Sequence, residues 1–186
     1  MKELSLNILD VAENSVKAGA SLTKIEIKET DELLILRITD DGCGMDEDTV
    51  RMVTDPFYTT RTTRKVGLGV PLLKLAAEQT GGSFSVTSRL ADKYPDNHGT
   101  AVEAKFYKKH IDFTPLGDAV SSLTTLVQGH PDTDFLFSHS LPEGGCVSLD
   151  TRELREVLGD VPLNEYDVIK WIEEYLKEQY ANNKQC

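Results

Sequence analysis

The chain has 186 residues, of which 39% are hydrophobic and 27% charged, a globular composition with room for one sizeable domain, alone or with a small appendage. Its formal charge of −11 at pH 7 repels polyanions and argues against nucleic acid or an anionic membrane surface as the main partner. No apolar run approaches the ~18–20 residues of a membrane span, and no secretory signal opens the chain, so a cytoplasmic setting is expected.

Taken in order, Leu4 to Ala18 sets Leu4, Ile8, Leu9, Val11, Ala12 and Val16 at helical spacing, with Gly19 where a left-handed cap would end it. Ile25 and Ile27 alternate with charged residues, and after the turn Glu29 to Glu32 the run Leu33 to Thr39 is rich in strand formers. Two strands are therefore expected, the second ending at Asp40. A short helix capped by Asp46 follows, then a polar, basic, proline-bearing loop from Thr54 to Val66. Val70 to Thr80 reads as a helix with Pro71 in its first turn and Gly81-Gly82 as its stop. Ser83 to Arg89 and Thr100 to Tyr107 alternate as strands.

Near residue 110 the character changes, and a boundary is expected there. Residues 1–110 carry 15 basic and 17 acidic groups, whereas residues 111–186 carry 5 and 14, a net of −9. The second part, a small α+β region, is expected to hold a helix from Pro115 to Val127, strands Asp134 to Ser138 and Cys146 to Leu149, and two helices. Asp150 with Glu153 has the spacing of a capping box, and Leu163, Val168, Ile169, Trp171, Ile172, Tyr175 and Leu176 suggest an apolar stripe packed on its own domain. A partner-binding face is the less favoured alternative, and the acidic bias reads as a solvated surface that could also dock a basic partner. Cys43, Cys146 and Cys186 are widely spaced and odd in number, which reads as free thiols.

Three places carry chemistry. Asp10 and Asn14, one helical turn apart, can address one ligand together, the amide as a hard oxygen ligand for magnesium and the carboxylate as a proton acceptor. Alone, they read more readily as solvated residues on a surface helix. Asp40-Asp41-Gly42-Cys43-Gly44-Met45 ends a strand with glycines that admit a flat ligand, where Asp40 could accept from an exocyclic amine and so select adenine over guanine. An ordinary Asp-Gly turn has the same letters. Lys65-Val66-Gly67-Leu68-Gly69-Val70 leads into a helix whose free N–H groups suit a phosphate, with Arg61, Arg64 and Lys65 as counter-charge. It has neither the Gly-Lys-Ser/Thr ending of a P-loop nor the three glycines of a Rossmann fingerprint.

These motifs follow one another on helix, strand-to-turn, basic loop, turn-to-helix and strand, and in that order the chain resembles the GHKL superfamily of gyrase, a heat-shock chaperone, histidine kinases and MutL over roughly residues 1–107. Ile8-Leu9-Asp10-Val11-Ala12-Glu13-Asn14-Ser15 resembles the N box, which implies Asn14 as magnesium ligand, Asp10 at the general-base position, and Lys17 near the nucleotide. The Asp40 run resembles the first glycine box, which implies Asp40 on the adenine amino group with Gly42, Gly44 and Met45 beside it. Asp55-Pro56-Phe57-Tyr58-Thr59-Thr60-Arg61 is similar to the F box of nitrogen-sensor-type histidine kinases, with Phe57 anchoring an ATP lid. Gly67-Leu68-Gly69-Val70 resembles the second glycine box, and Gly99-Thr100 the glycine-threonine pair of a late strand.

The resemblance implies a two-layer α/β sandwich, a mixed sheet with helices on one face, holding ATP and Mg2+ beneath a lid from about Asp55 to Val66. It implies a histidine-kinase or anti-sigma type of kinase that passes the γ-phosphoryl group to a protein partner in signalling, with Arg61 or Lys65 stabilising the transferred charge. An ATP-gated switch or slow ATPase is the alternative, and a homodimer is open. Asp10 stands where hydrolysing branches carry the longer glutamate, which argues for orienting an acceptor over activating water. The N box begins within a dozen residues of Met1, so neither a phosphoacceptor helix before it nor autophosphorylation is expected. His98, His110, His130 and His139 read as surface or packing residues.

Overall fold

A computed structural model of the chain describes residues 3–55 and 68–183. The helix α1 (Leu4–Lys17) leads into β1 (Leu22–Glu29) and β2 (Leu33–Asp40), followed by α2 (Glu47–Thr54) and α3 (Gly69–Gln79). Then come β3 (Ser83–Arg89), β4 (Gly99–Tyr107), α4 (Ala119–Gly129), β5 (Asp134–Ser140), β6 (Cys146–Asp150), α5 (Thr151–Leu158) and α6 (Tyr166–Asn183). All strands join one six-stranded sheet in the order β3-β4-β2-β1-β5-β6. The sheet is mixed, because β5 runs parallel to β1 while the other neighbours are antiparallel.

Alternation on the central strands sorts the two faces. Ile25 pairs with Ile38 and Ile27 with Leu36 on the buried side, while Lys24, Lys28 and Arg37 point to solvent. Helix α1 covers β1 and β2, α3 covers β3 and β4, and α4 packs between α1 and α6. This is the two-layer α/β sandwich expected from the sequence. Leu4, Ile8 and Val11 of α1 are almost fully buried, each worth about 1.5–3 kcal/mol as removed apolar surface.

The composition break near residue 110 is no break in the sheet. Strand β5 lies along β1 from Leu22↔Asp134 to Lys28↔Ser140, and Phe135, Phe137, Leu126 and Leu176 belong to the same core as Leu4 and Ile25. The first turn of α1 depends on this later segment. Glu3 gives it no side-chain cap, and the free N–H groups of Leu4 and Ser5 donate instead to the carbonyls of Pro115 and Leu116 at 2.9 and 2.8 Å.

That use of Pro115 and Leu116 moves the start of α4. Gly117 adopts φ +75°, and Asp118 caps the helix by accepting from the Ser121 N–H at 2.9 Å, so the expected start at Pro115 gives way to Ala119. In α5, Asp150 accepts from the Arg152 N–H at 3.0 Å and also holds its guanidinium, in place of the reciprocal box with Glu153. In α6, Val168, Ile172 and Leu176 are buried, but Trp171 and Tyr175 remain 47% and 38% exposed. The helix leans on α4 and β6 with one side only, and positions 171 and 175 fall beyond its edge.

Candidate nucleotide site

Asp40 is the organising side chain. It ends β2 in phase with buried Leu34, Leu36 and Ile38, so alternation turns its carboxylate toward the helical layer. Its Oδ1 accepts from the N–H of Gly42 at 3.0 Å and of Thr100 at 3.2 Å. Its Oδ2 accepts from Ser15 Oγ of α1 at 2.7 Å. One carboxylate thus joins β2, the start of β4 and α1, with acceptor capacity left on Oδ2.

The loop after it is pinned at every step. The Cys43 N–H donates to Ala18 O at 2.9 Å, and Ala91 N–H to Cys43 O at 3.0 Å. Met45 N–H donates to Ser88 Oγ at 2.8 Å, and Ser88 Oγ lies 2.8 Å from Thr100 Oγ1. The Gly42 carbonyl can only accept, so the His98 ring contacting it at 2.7 Å carries its proton on Nδ1. Two glycines are sterically required. A Cβ on Gly44, whose φ is +71°, would lie 1.9 Å from the Arg89 carbonyl oxygen, and one on Gly99, φ +117°, 1.9 Å from that of Asp40. Neighbouring Asp41 turns away to anchor β1, accepting from the Ser21 and Leu22 N–H groups at 2.8 and 2.9 Å and from Ser21 Oγ. Burial raises its pKa, but those donors together outweigh it and hold the carboxyl below its usual value.

On α1, Asn14 immediately precedes Ser15, and its half-buried side chain makes no hydrogen bond among the described residues. Its amide oxygen is a donor atom suited to a hard cation. Asp10 is exposed one turn earlier, and a Cβ on Gly69 would come within 2.5 Å of the Asp10 Cβ. Gly69 therefore lets the start of α3 close on α1, where its carbonyl oxygen also lies 3.5 Å from Asn7 Nδ2. Leu68 precedes α3 and is 58% exposed, and Lys17 is exposed in the last turn of α1. Phe57, Arg61, Lys65 and Gly67, together with the expected lid, lie outside the described residues apart from its first residue, Asp55.

Beside the glycine loop a cleft of ≈ 820 Å³ opens between α2 and β3, lined among others by Met45, Arg51, Val86, Ser88 and Lys93. A second, of ≈ 340 Å³, includes Asp40, His98 and Thr100. Neither includes Asp10 or Asn14. Sequence reasoning named the Asp40 carboxylate and missed Ser15, which holds it, and Ser88 and His98, which hold the loop beside it. Ser15 was legible inside the N-box run, whereas no local signal ties position 88 to Met45 or position 98 to Gly42.

Comparison with known proteins bears on the family and the fold. The family profile described as histidine kinase-, DNA gyrase B- and HSP90-like ATPase matches residues 2–110. Sensor protein SrrB of Staphylococcus aureus is 33% identical over 95 residues, 48% of this chain and 16% of that protein. A putative sensor histidine kinase, NtrY-like, of Rickettsia conorii is 26% identical over 114 residues, 60% of this chain and 18% of that protein. The chain thus spans under a fifth of the length of these relatives. Among solved structures, the Aquifex aeolicus MutL ATPase domain complexed with ADP superposes with TM-score 0.54 at 16% identity, covering 85% of this chain and 69% of that one, a likeness of fold.

Proposed function

The chain belongs to the histidine kinase-, DNA gyrase B- and HSP90-like ATPase family, and we propose that it binds Mg-ATP and transfers the γ-phosphoryl group to a separate signalling protein in the cytoplasm. The observation that carries the reading is the Asp40 carboxylate, fixed by Ser15, Gly42 and Thr100 at the foot of the helix that bears Asn14. An acceptor held in this way suits the adenine amino group. The amide oxygen of Asn14 would hold Mg2+, which would supply counter-charge for the phosphates. Asp10, exposed one turn from Asn14, is assigned to orienting the acceptor hydroxyl or imidazole, and Lys17, Leu68 and Gly69 to the phosphate side. Phe57, Arg61, Lys65 and Gly67 complete the proposal as lid anchor and phosphate contacts.

A second reading, an ATP-gated switch or slow ATPase without transfer, is favoured by the way α1 is tied to the later segment. Glu13, beside Asn14, meets His130 at 2.7 Å, and the first N–H groups of α1 are held by Pro115 and Leu116. Movement of α1 with nucleotide would therefore reach residues 115–130. Incubation with γ-labelled ATP and native partner proteins separates the readings. Label on a partner supports transfer; steady phosphate release without partners, lost in Asp10→Asn, supports the ATPase; tight binding with neither supports the switch.

A further inference from the structure

The described cations of the C-terminal segment are all engaged: Arg152 with Asp150, Arg155 with Asp134, Lys170 with Glu174 and Lys177 with Glu173. The surplus charge of this segment, −9 over residues 111–186, is thus uncompensated negative charge. Part of it gathers on one side of α6. Asp167, Trp171, Glu174, Tyr175 and Glu178 recur at helical spacing and are all exposed. The rings of Trp171 and Tyr175 stack with centroids 4.8 Å apart and 11° between planes. Asp167 and Glu178 have no ion pair among the described residues, and Glu174 meets Lys170 only at 3.9 Å in an exposed pair that binds it weakly.

A solvent-facing aromatic plate rimmed by carboxylates is complementary to a guanidinium, which stacks on the ring face and donates to the rim. We propose that this side of α6 docks an arginine-bearing basic segment of a partner protein. A second copy fits poorly, since a two-fold pairing would set Asp167, Glu174 and Glu178 against their own like charges. Nucleic acid and anionic lipid are repelled outright.

Trp171 is the only tryptophan of the chain, so its emission reports the surface directly. An arginine-rich decapeptide titrated into the full chain is expected to give a saturable emission change that weakens with added salt, while an acidic decapeptide gives none. The variant Asp167→Asn/Glu174→Gln/Glu178→Gln should bind the basic peptide at least about tenfold more weakly. The control Asp92→Asn/Asp96→Asn/Asp112→Asn removes equal charge from exposed loops and should weaken it less than about threefold. Equal weakening in both variants would reduce the effect to overall charge and overturn the proposal. So would the absence of saturable change, a comparable response to the acidic peptide, or a dilution-dependent emission without peptide that tracks dimer dissociation.

Discussion

Ser15 of α1 donates to Asp40 Oδ2 across 2.7 Å, so the helix bearing the candidate metal ligand and the strand bearing the candidate purine acceptor meet in one hydrogen bond. Because Asn14 adjoins Ser15, a shift of α1 that breaks this bond also displaces the amide. The two ends of the site are mechanically one unit.

Asp40→Asn keeps an oxygen for the Gly42 and Thr100 N–H groups and places an amide where a ligand donor would arrive. Titration calorimetry with ATP and magnesium is expected to show a loss of about 1–3 kcal/mol, roughly 5–150-fold, with the melting temperature little changed. Unaltered affinity would remove Asp40 from the site.

Ser15→Ala takes one donor from a part-buried carboxylate, with an expected cost of about 1–3 kcal/mol in chemical denaturation. ATP affinity should fall with it. A variant that loses stability but binds ATP as wild type would show that the bond only holds the fold together.

Gly99→Ala puts a methyl group 1.9 Å from the Asp40 carbonyl oxygen in a left-handed conformation. Strand β4 must retreat from β2 at the point where Thr100 donates to Asp40. Urea unfolding is expected to show at least about 1–3 kcal/mol of destabilisation, and ATP binding should weaken as Asp40 loses its partner. Gly129→Ala, open around its Cβ position and helical, serves as the benign comparison.

His139 is buried on β5, with Nδ1 2.9 Å from Tyr180 Oη and Nε2 3.0 Å from Glu29 Oε2, while Lys108 pairs with the other Glu29 oxygen at 2.6 Å. Burial lowers its pKa; Glu29 opposes this by hydrogen bond and charge, and Lys108 reinforces it. The folded state therefore favours neutral imidazole. Its contribution to stability is complete above the unfolded pKa of about 6.5 and is lost as pH falls from there toward the lower folded value. Denaturant midpoints measured from pH 7.5 to pH 5 should fall, and His139→Gln should flatten that slope. An unchanged slope in the variant would assign the acid sensitivity to other groups.

Much of the candidate site was legible because consecutive residues wrote it. The Asp40 run, the Asp10/Asn14 spacing and the glycines before α3 were each visible as local patterns, and alternation in β2 already implied which way Asp40 faces. Trp171 and Tyr175 were misread for a definite reason: helical spacing places them near Ile172 and Leu176, but only the neighbouring elements decide how wide a stripe is covered. Position 98 carried no pattern at all, since its ring matters only where the β3–β4 connection folds back on Gly42.

By itself the sequence determined the elements, their order and the residue types of the candidate site, because periodicity and turn chemistry depend on neighbours a few positions apart. Tertiary structure alone decided that β5 slots in parallel beside β1, that Pro115 and Leu116 cap the first helix, and that Ser15 holds Asp40. Those pairings join residues far apart in the chain, and strand partners and capping acceptors are selected by burial and by the need to satisfy every polar group at once, which no short window of sequence contains.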